Sequence, residues 1–181
     1  AASDVYKRQI TNKQSIKAAN DIFEYFVNID ELQALASKRI SKLLKTEAAV
    51  ITASADGGLT ESVASMMTGK DLKKVFKLPD TSNMVNKVLI QRGHLTNYGA
   101  EVEQGIKLSG AKILKCGLKK FCTKENVEKT ISQNKKQIAC AMYVVSHHCS
   151  DYGSLELNSF IKICKKNKIP VIVDAASEEY M

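Results

Sequence analysis

Arginine is scarce in this chain: Arg8, Arg39 and Arg92 stand alone, and lysine carries nearly all of the formal charge of +8. Phosphate forks and base reading draw on arginine and on aromatic platforms. No stretch interleaves the two, so the charge reads as a solvated lysine surface and no nucleic-acid partner is expected. No apolar run approaches the length of a membrane span, and the N-terminus lacks the apolar block of a secretory signal; no membrane contact and a cytoplasmic location are therefore expected. The five cysteines, at 116, 122, 140, 149 and 164, are odd in number and contain no C-x-x-C pair. Neither a disulfide framework nor a zinc site is indicated, and reduced, mostly buried thiols are expected. Internal repeats and low-complexity linkers are missing too. A chain of 181 residues with this mixture reads as one soluble globular domain with one substantial core.

What the chain does contain is a succession of short apolar runs separated by helically patterned segments. Residues 1–9 match neither periodicity and are expected to be a non-native leader, so the domain is taken as 10–181. Over 15–26, Ile16, Ala19, Ile22, Phe23 and Phe26 recur at helical spacing, and a second helix from about Asp30 carries Leu32, Leu35, Ala36, Ile40, Leu43 and Leu44. Both stripes are expected to pack into a core. Residues 48–52 read as a short strand and 59–67 as a helix. A connecting segment over 71–83, turning at Leu78-Pro79-Asp80, leads to a strand over 87–90. A helix over 98–108 closes at Ser109-Gly110, where a left-handed cap is expected, and 111–116 is the next strand. Thr123 is the expected cap of a helix running through Ile131, 137–145 the longest and most central strand, and Ser154 the cap of a helix over 155–166 with Leu157, Phe160, Ile161 and Cys164 on its apolar face. The final run, Ile169-Pro170-Val171-Ile172-Val173, has four β-branched residues in five and suits a strand buried on both faces. Strand and helix alternate with short connections, which predicts an α/β fold with a mostly parallel sheet covered on both faces.

Such sheets bind ligands beyond the carboxyl ends of their strands. Asp174 ends the last strand there, either as a site acid or as the cap of the following turn. Ser54, Ala55 and Asp56, followed by two glycines, open a helix whose free N–H groups and dipole favour an anion such as phosphate. The same residues also start any ordinary helix, and Asp56 repels a phosphate unless it is turned away. His94 lies just past a strand, where an imidazole stacks on a planar ligand, transfers protons, or is a plain loop residue. Ser146, His147, His148 and Cys149 follow the central strand. Adjacent histidines diverge and no third ligand is spaced to join them, so no metal is expected; a Cys149–His148 nucleophile is disfavoured because a single loop would supply both partners.

Five runs taken together carry a resemblance: Tyr25-Phe26-Val27-Asn28-Ile29-Asp30-Glu31-Leu32-Gln33, Thr46-Glu47-Ala48-Ala49-Val50-Ile51-Thr52, Leu78-Pro79-Asp80-Thr81, Ile90-Gln91-Arg92-Gly93-His94 and Pro170-Val171-Ile172-Val173-Asp174-Ala175-Ala176. In this order the chain resembles the selenocysteine synthase-like pyridoxal-phosphate enzymes, and within them the branch of ammonia-lyases that act on amino sugar acid phosphates such as D-glucosaminate 6-phosphate. The resemblance implies a fold-type-I pyridoxal-phosphate-dependent transferase large domain, three-layered α/β/α, working as a homo-oligomer. It implies pyridoxal 5′-phosphate as cofactor and an amino-bearing small molecule as substrate.

By the same resemblance the Ser54-Ala55-Asp56 turn holds the cofactor phosphate, His94 stacks on the pyridine ring, and Asp174 pairs with the protonated ring nitrogen. Ala176 lies beside the ring, and Ser146 and His148 line its phenolic-oxygen side. The family's lysine that binds the cofactor covalently stands in a Ser-Gly-Gly-Lys-like motif further along than Asp174, and no lysine here has that context. No catalytic residue is therefore assigned, and the chain reads as the N-terminal part of an enzyme, inactive by itself. The alternatives are a selenium transferase acting on seryl-tRNA and a non-catalytic remnant of the fold.

Overall fold

The structure, a computed structural model, describes residues 11–146, 149 and 153–176. It divides into two compact units, one ending at Ile51 and one beginning at Thr52.

The described residues of the first unit hold two helices, α1 (Lys13–Ile22) and α2 (Ile29–Leu44). Each starts on an asparagine. Asn12 accepts from Gln14 N at 2.8 Å, and Asn28 accepts from Asp30 N and Glu31 N at 3.0 and 3.2 Å. Asp30 and Glu31 also place negative charge at the positive end of α2. The apolar stripes are present but not covered: no residue of either helix is buried, and Leu35 and Leu43 are 60% and 65% exposed. The expected core packing of these helices is thus not found among the described residues. Nor is the strand expected over 48–52. The α2 side chains serve the backbone of this segment: Gln33 bonds both Ile51 O and Ile51 N, and Ser37 Oγ accepts from Ala49 N at 3.1 Å.

The second unit is built on a four-stranded parallel sheet in the order β2-β1-β3-β4. Its strands are β1 (Lys87–Gln91), β2 (Lys112–Cys116), β3 (Ile138–Val144) and β4 (Val171–Asp174). Alternation along the strands sorts side chains onto two faces. Val88, Ile90, Cys140, Met142 and Val144 pack with α3 (Ala55–Thr68) and α5 (Val102–Leu108) through Leu59, Val63, Val102 and Ile106. Leu89 and Ala141 face the other way, toward α6 (Lys124–Asn134) and α7 (Leu157–Lys166), where Val127, Ile131, Phe160 and Ile163 meet them. Val88, Leu89 and Ile90 are 0% exposed, and burying each contributes about 1.5–3 kcal/mol relative to leaving it in water. This face-by-face packing makes the sheet rigid enough to hold loops at its ends.

Element ends differ in instructive ways. A short helix, α4 (Leu72–Val75), interrupts the expected connecting segment, capped by Asp71. The helix expected from residue 98 starts at Val102, because Asn97 Oδ1 takes Gly99 N at 2.8 Å and Gly99 adopts φ +103°, closing a turn that competes with the helix. Thr123 forms a reciprocal capping box with Asn126. Glu156, not Ser154, is the N-cap of α7. Gly110, at φ +85°, ends the α5 region as expected; a Cβ there would collide with the Pro79 carbonyl. No described helix is long and apolar enough to cross a membrane.

Candidate functional site

Because all strand pairs are parallel, Gln91, Val144 and Asp174 end on one edge of the sheet. That edge has two halves with different chemistry.

Past β1 the chain turns in a tight 3-10 segment, Arg92–His94, and leaves β3 without a strand partner on the β1 side beyond Met142, which pairs with Ile90. His94 fills the gap. Its Nδ1 accepts the Val144 N–H at 3.1 Å, so the ring proton sits on Nε2. The ring stands edge-on to Tyr143 at 4.3 Å between centroids and is 1% exposed. Burial lowers its pKa from 6.5 to about 4, so it is neutral at pH 7. Gln91 is also buried and pairs with Leu155 as a strand would, receiving Leu155 N on Oε1 and giving Nε2 to Leu155 O, both at 2.9 Å. Tyr143 OH reaches the same carbonyl at 3.3 Å. This half is closed and internally bonded.

The other half lies where β3 and β4 end. Val144 and Asp174 are register partners, and Val145 N bonds Asp174 O at 2.8 Å, which fixes the backbone of the acid. Asp174 is half-buried, and its Oδ1 accepts from Ala176 N at 3.1 Å. The turn-cap reading is therefore correct for one oxygen; the other has no hydrogen-bond partner among the described residues. Facing this region is Tyr98, 41% exposed. Burial is the main cause that raises its phenol pKa, with Cys149 and the Asp174 carboxylate adding to the rise while the Ser146 and Thr96 hydroxyls oppose it. The phenol therefore keeps its proton and can donate it in a hydrogen bond. Thr96 Oγ1 is buried nearby with no hydrogen bond of good geometry among the described residues. Cys149 is 7% exposed and its thiol points at the Val144 carbonyl, 3.5 Å away.

At the start of α3, Ser54 Oγ accepts from Gly57 N at 3.0 Å. The N–H groups of Ala55 and Asp56 have no partner among the described residues, which leaves them available to an anion. Asp56 is turned aside: its carboxylate lies against Gly105 of α5, where any Cβ would collide with Oδ1, and Thr60 Oγ1 bonds the Gly105 carbonyl at 2.9 Å. The close approach requires glycine at 105.

Of the residues singled out from sequence, Asp174, Ser146 and Ala176 thus gather at the β3–β4 end, and Ser54, Ala55 and Asp56 form one helix start on α3, which packs on β3, β4 and α5. His94 reaches the first group only through Val144, and its ring is covered by the chain itself. His148 lies outside the described residues, as do residues 1–9. Tyr98 was missed. Its signal was an aromatic with a polar tip beside a glycine, in a loop leaving a strand's carboxyl end.

No family model matches the chain. It is 36% identical over 154 residues to the D-glucosaminate-6-phosphate ammonia lyase of Salmonella typhimurium (strain 14028s / SGSC 2262), covering 85% of this chain and 41% of that protein. Over 165 residues it is 28% identical to a 5′-C-glycyluridine monooxygenase-decarboxylase of a Streptomyces species, covering 90% of this chain and 41% of the relative. Among solved structures, a D-glucosaminate-6-phosphate ammonia-lyase superposes with a TM-score of 0.90 at 32% identity, over 97% of this chain and 47% of that one. The chain therefore spans less than half the length of the proteins it matches.

Proposed function

We propose that this chain is the N-terminal part of a pyridoxal-phosphate-dependent ammonia-lyase of fold type I, acting on an amino sugar acid phosphate such as D-glucosaminate 6-phosphate. The observation that carries the reading is the similarity to ammonia-lyases in both sequence and backbone, at 36% identity and a TM-score of 0.90. The donor set at the sheet edge fits the group: a strand-end carboxylate with one oxygen unbonded among the described residues, a protonated phenol, a serine hydroxyl, and a helix start whose first N–H groups have no partner among the described residues. When bound, pyridoxal phosphate supplies an electron sink for bond breaking at the carbon that bears the substrate amine.

In this reading Asp174 holds a proton on the pyridine nitrogen, and its backbone bond to Val145 keeps the carboxylate aimed. Ser54 with the N–H groups of Ala55 and Asp56 takes the phosphate. Ser146 and Tyr98 donate to the phenolic oxygen, and His94 supports the edge as a neutral imidazole below the site. The ring-stacking role first expected of His94 asks for an open face, which a residue 1% exposed does not offer. Neither curated relative carries the name of a selenium transferase, and both are named as enzymes.

The test extends the reading frame to the relatives' length, adds pyridoxal phosphate and treats the protein with borohydride. A trapped lysine adduct and ammonia release from D-glucosaminate 6-phosphate are expected. An extended protein that gives no adduct overturns the enzyme reading; an adduct without ammonia release overturns the substrate.

A further inference from the structure

Independently of that reading, the thiols of Cys116 and Cys122 lie 3.9 Å apart, sulfur to sulfur, in van der Waals contact. The loop between them folds back on itself, with Leu118 and Phe121 bridged, and Gly117 at φ +67° makes the contact possible: a Cβ at 117 would come within 2.6 Å of Cys122 Cβ and 2.8 Å of its sulfur. The other three cysteines are placed differently. Burial pushes Cys140 and Cys164 up to about 12, and Cys149 is bonded to the Val144 carbonyl.

We propose that Cys116 and Cys122 form a reversible redox site, a dithiol that a low-molecular-weight disulfide of the glutathione class oxidises to an intramolecular bond across the 117–121 loop. The Cys122 thiolate attacks one sulfur of that disulfide and expels one thiol. Cys116 then gives up its proton to solvent and attacks the Cys122 sulfur of the mixed disulfide, expelling the second thiol. Two protein thiols are oxidised and one small disulfide is reduced to two thiols. The order follows from the shared sulfur–sulfur hydrogen bond, which draws the Cys122 thiol below its ordinary value and lifts Cys116 above it. Both thiols are buried, and Leu118 and Phe121 leave the outer face of the loop in solvent, at 66% and 53% exposed, so the proposed attack requires this loop to lift from Cys122.

The bond would act on the candidate site's surroundings. Lys119 O lies where a Cβ on Gly93 would stand, at 2.6 Å, and Lys120 O similarly faces Gly153 at 2.5 Å, while Cys122 N bonds Gly153 O at 2.6 Å. Closing the sulfur gap from 3.9 Å to about 2.05 Å therefore tightens this loop across the residue that precedes His94.

The experiment equilibrates the chain with oxidised glutathione and reads the intact mass and a non-reducing tryptic map. Two of the five thiols should disappear with loss of two hydrogens, and the peptides Cys116–Lys119 and Phe121–Lys124 should run as one linked pair that reductant separates. Cys116→Ser should instead hold glutathione on Cys122. Before full digestion, cleavage after Lys119 and Lys120 should slow at least threefold in the oxidised form. A map that keeps both thiols free, or links either to Cys164 or Cys140, overturns the site; an unchanged cleavage rate overturns the restraint on the loop.

Discussion

The two halves of the sheet's carboxyl edge make opposite use of polar groups. At the β1 end, Gln91 and His94 are 0% and 1% exposed, and their bonds to Leu155 and Val144 replace the strand pairing that stops there. At the β3–β4 end, Asp174 is half-exposed with one oxygen unbonded among the described residues, and the Tyr98 phenol stays protonated beside it. A buried polar group is costly unless satisfied, so the closed half contributes to stability and has nothing left for a ligand. The open half instead sets the Tyr98 phenol and the Ser146 hydroxyl beside a half-buried carboxylate.

The sharpest way to break this contrast is acid. His94 titrates at about 4 in the folded chain against 6.5 when free, so below pH 6.5 the unfolded state binds a proton that the folded state refuses. Stability is complete above pH 6.5 and falls as pH drops toward about 4, by on the order of 3 kcal/mol. Urea unfolding across that window measures the slope, and His94→Gln should flatten it. At neutral pH, Gln91→Leu strands Leu155 N and leaves Leu155 O only the Tyr143 hydroxyl, and should cost about 2 kcal/mol, read as a lower urea midpoint.

On the open half the effects should move from folding to binding. Asp174→Asn should weaken pyridoxal phosphate binding about tenfold, about 1.4 kcal/mol, while leaving the urea midpoint nearly unchanged, checked by cofactor titration and unfolding of the same samples. Ser54→Ala removes the α3 cap and should cost about 1 kcal/mol in the unfolding midpoint. Tyr98→Phe, the smallest, should weaken cofactor binding about threefold, about 0.6 kcal/mol, with stability within about 0.5 kcal/mol of the parent. A Tyr98→Phe loss larger than that of Asp174→Asn would reverse the assignment of leading roles.

Much of the sheet was legible because its strands carry both signals that matter, β-branched runs and short connections. The parallel sense of the sheet, its four strands and the caps at Ser54 and Thr123 follow from such local patterns, whereas the strand order does not. The strand Val171–Asp174 was equally plain, with the acid at its end, but it is an edge strand with Val173 40% exposed and not buried on both faces as expected, because its β-branched run does not say how many neighbours it has. His94 was not legible in its true setting. Its position after a strand was clear, but burial depends on β3 running two residues past the end of its pairing with β1, a register that no local pattern encodes. Tyr98 escaped for a related reason, since the turn at Gly99 and the approach of Ser146 and Asp174 come from segments far apart in sequence. The stripes of α1 and α2 were read correctly as apolar, but among the described residues they are not covered, because periodicity says which face is greasy and not what lies against it.

The amino-acid sequence by itself determined the four strands of the sheet and the helices between them, though not every boundary, and that Asp174 would stand at a strand's carboxyl end, since these rest on neighbours within a few residues. Only the tertiary structure decided that His94 would be a neutral, buried acceptor, that Asp56 would turn against Gly105, and that Cys116 and Cys122 would touch. Each of those depends on strand register and loop closure between distant segments, and desolvation follows from that arrangement, not from residue type.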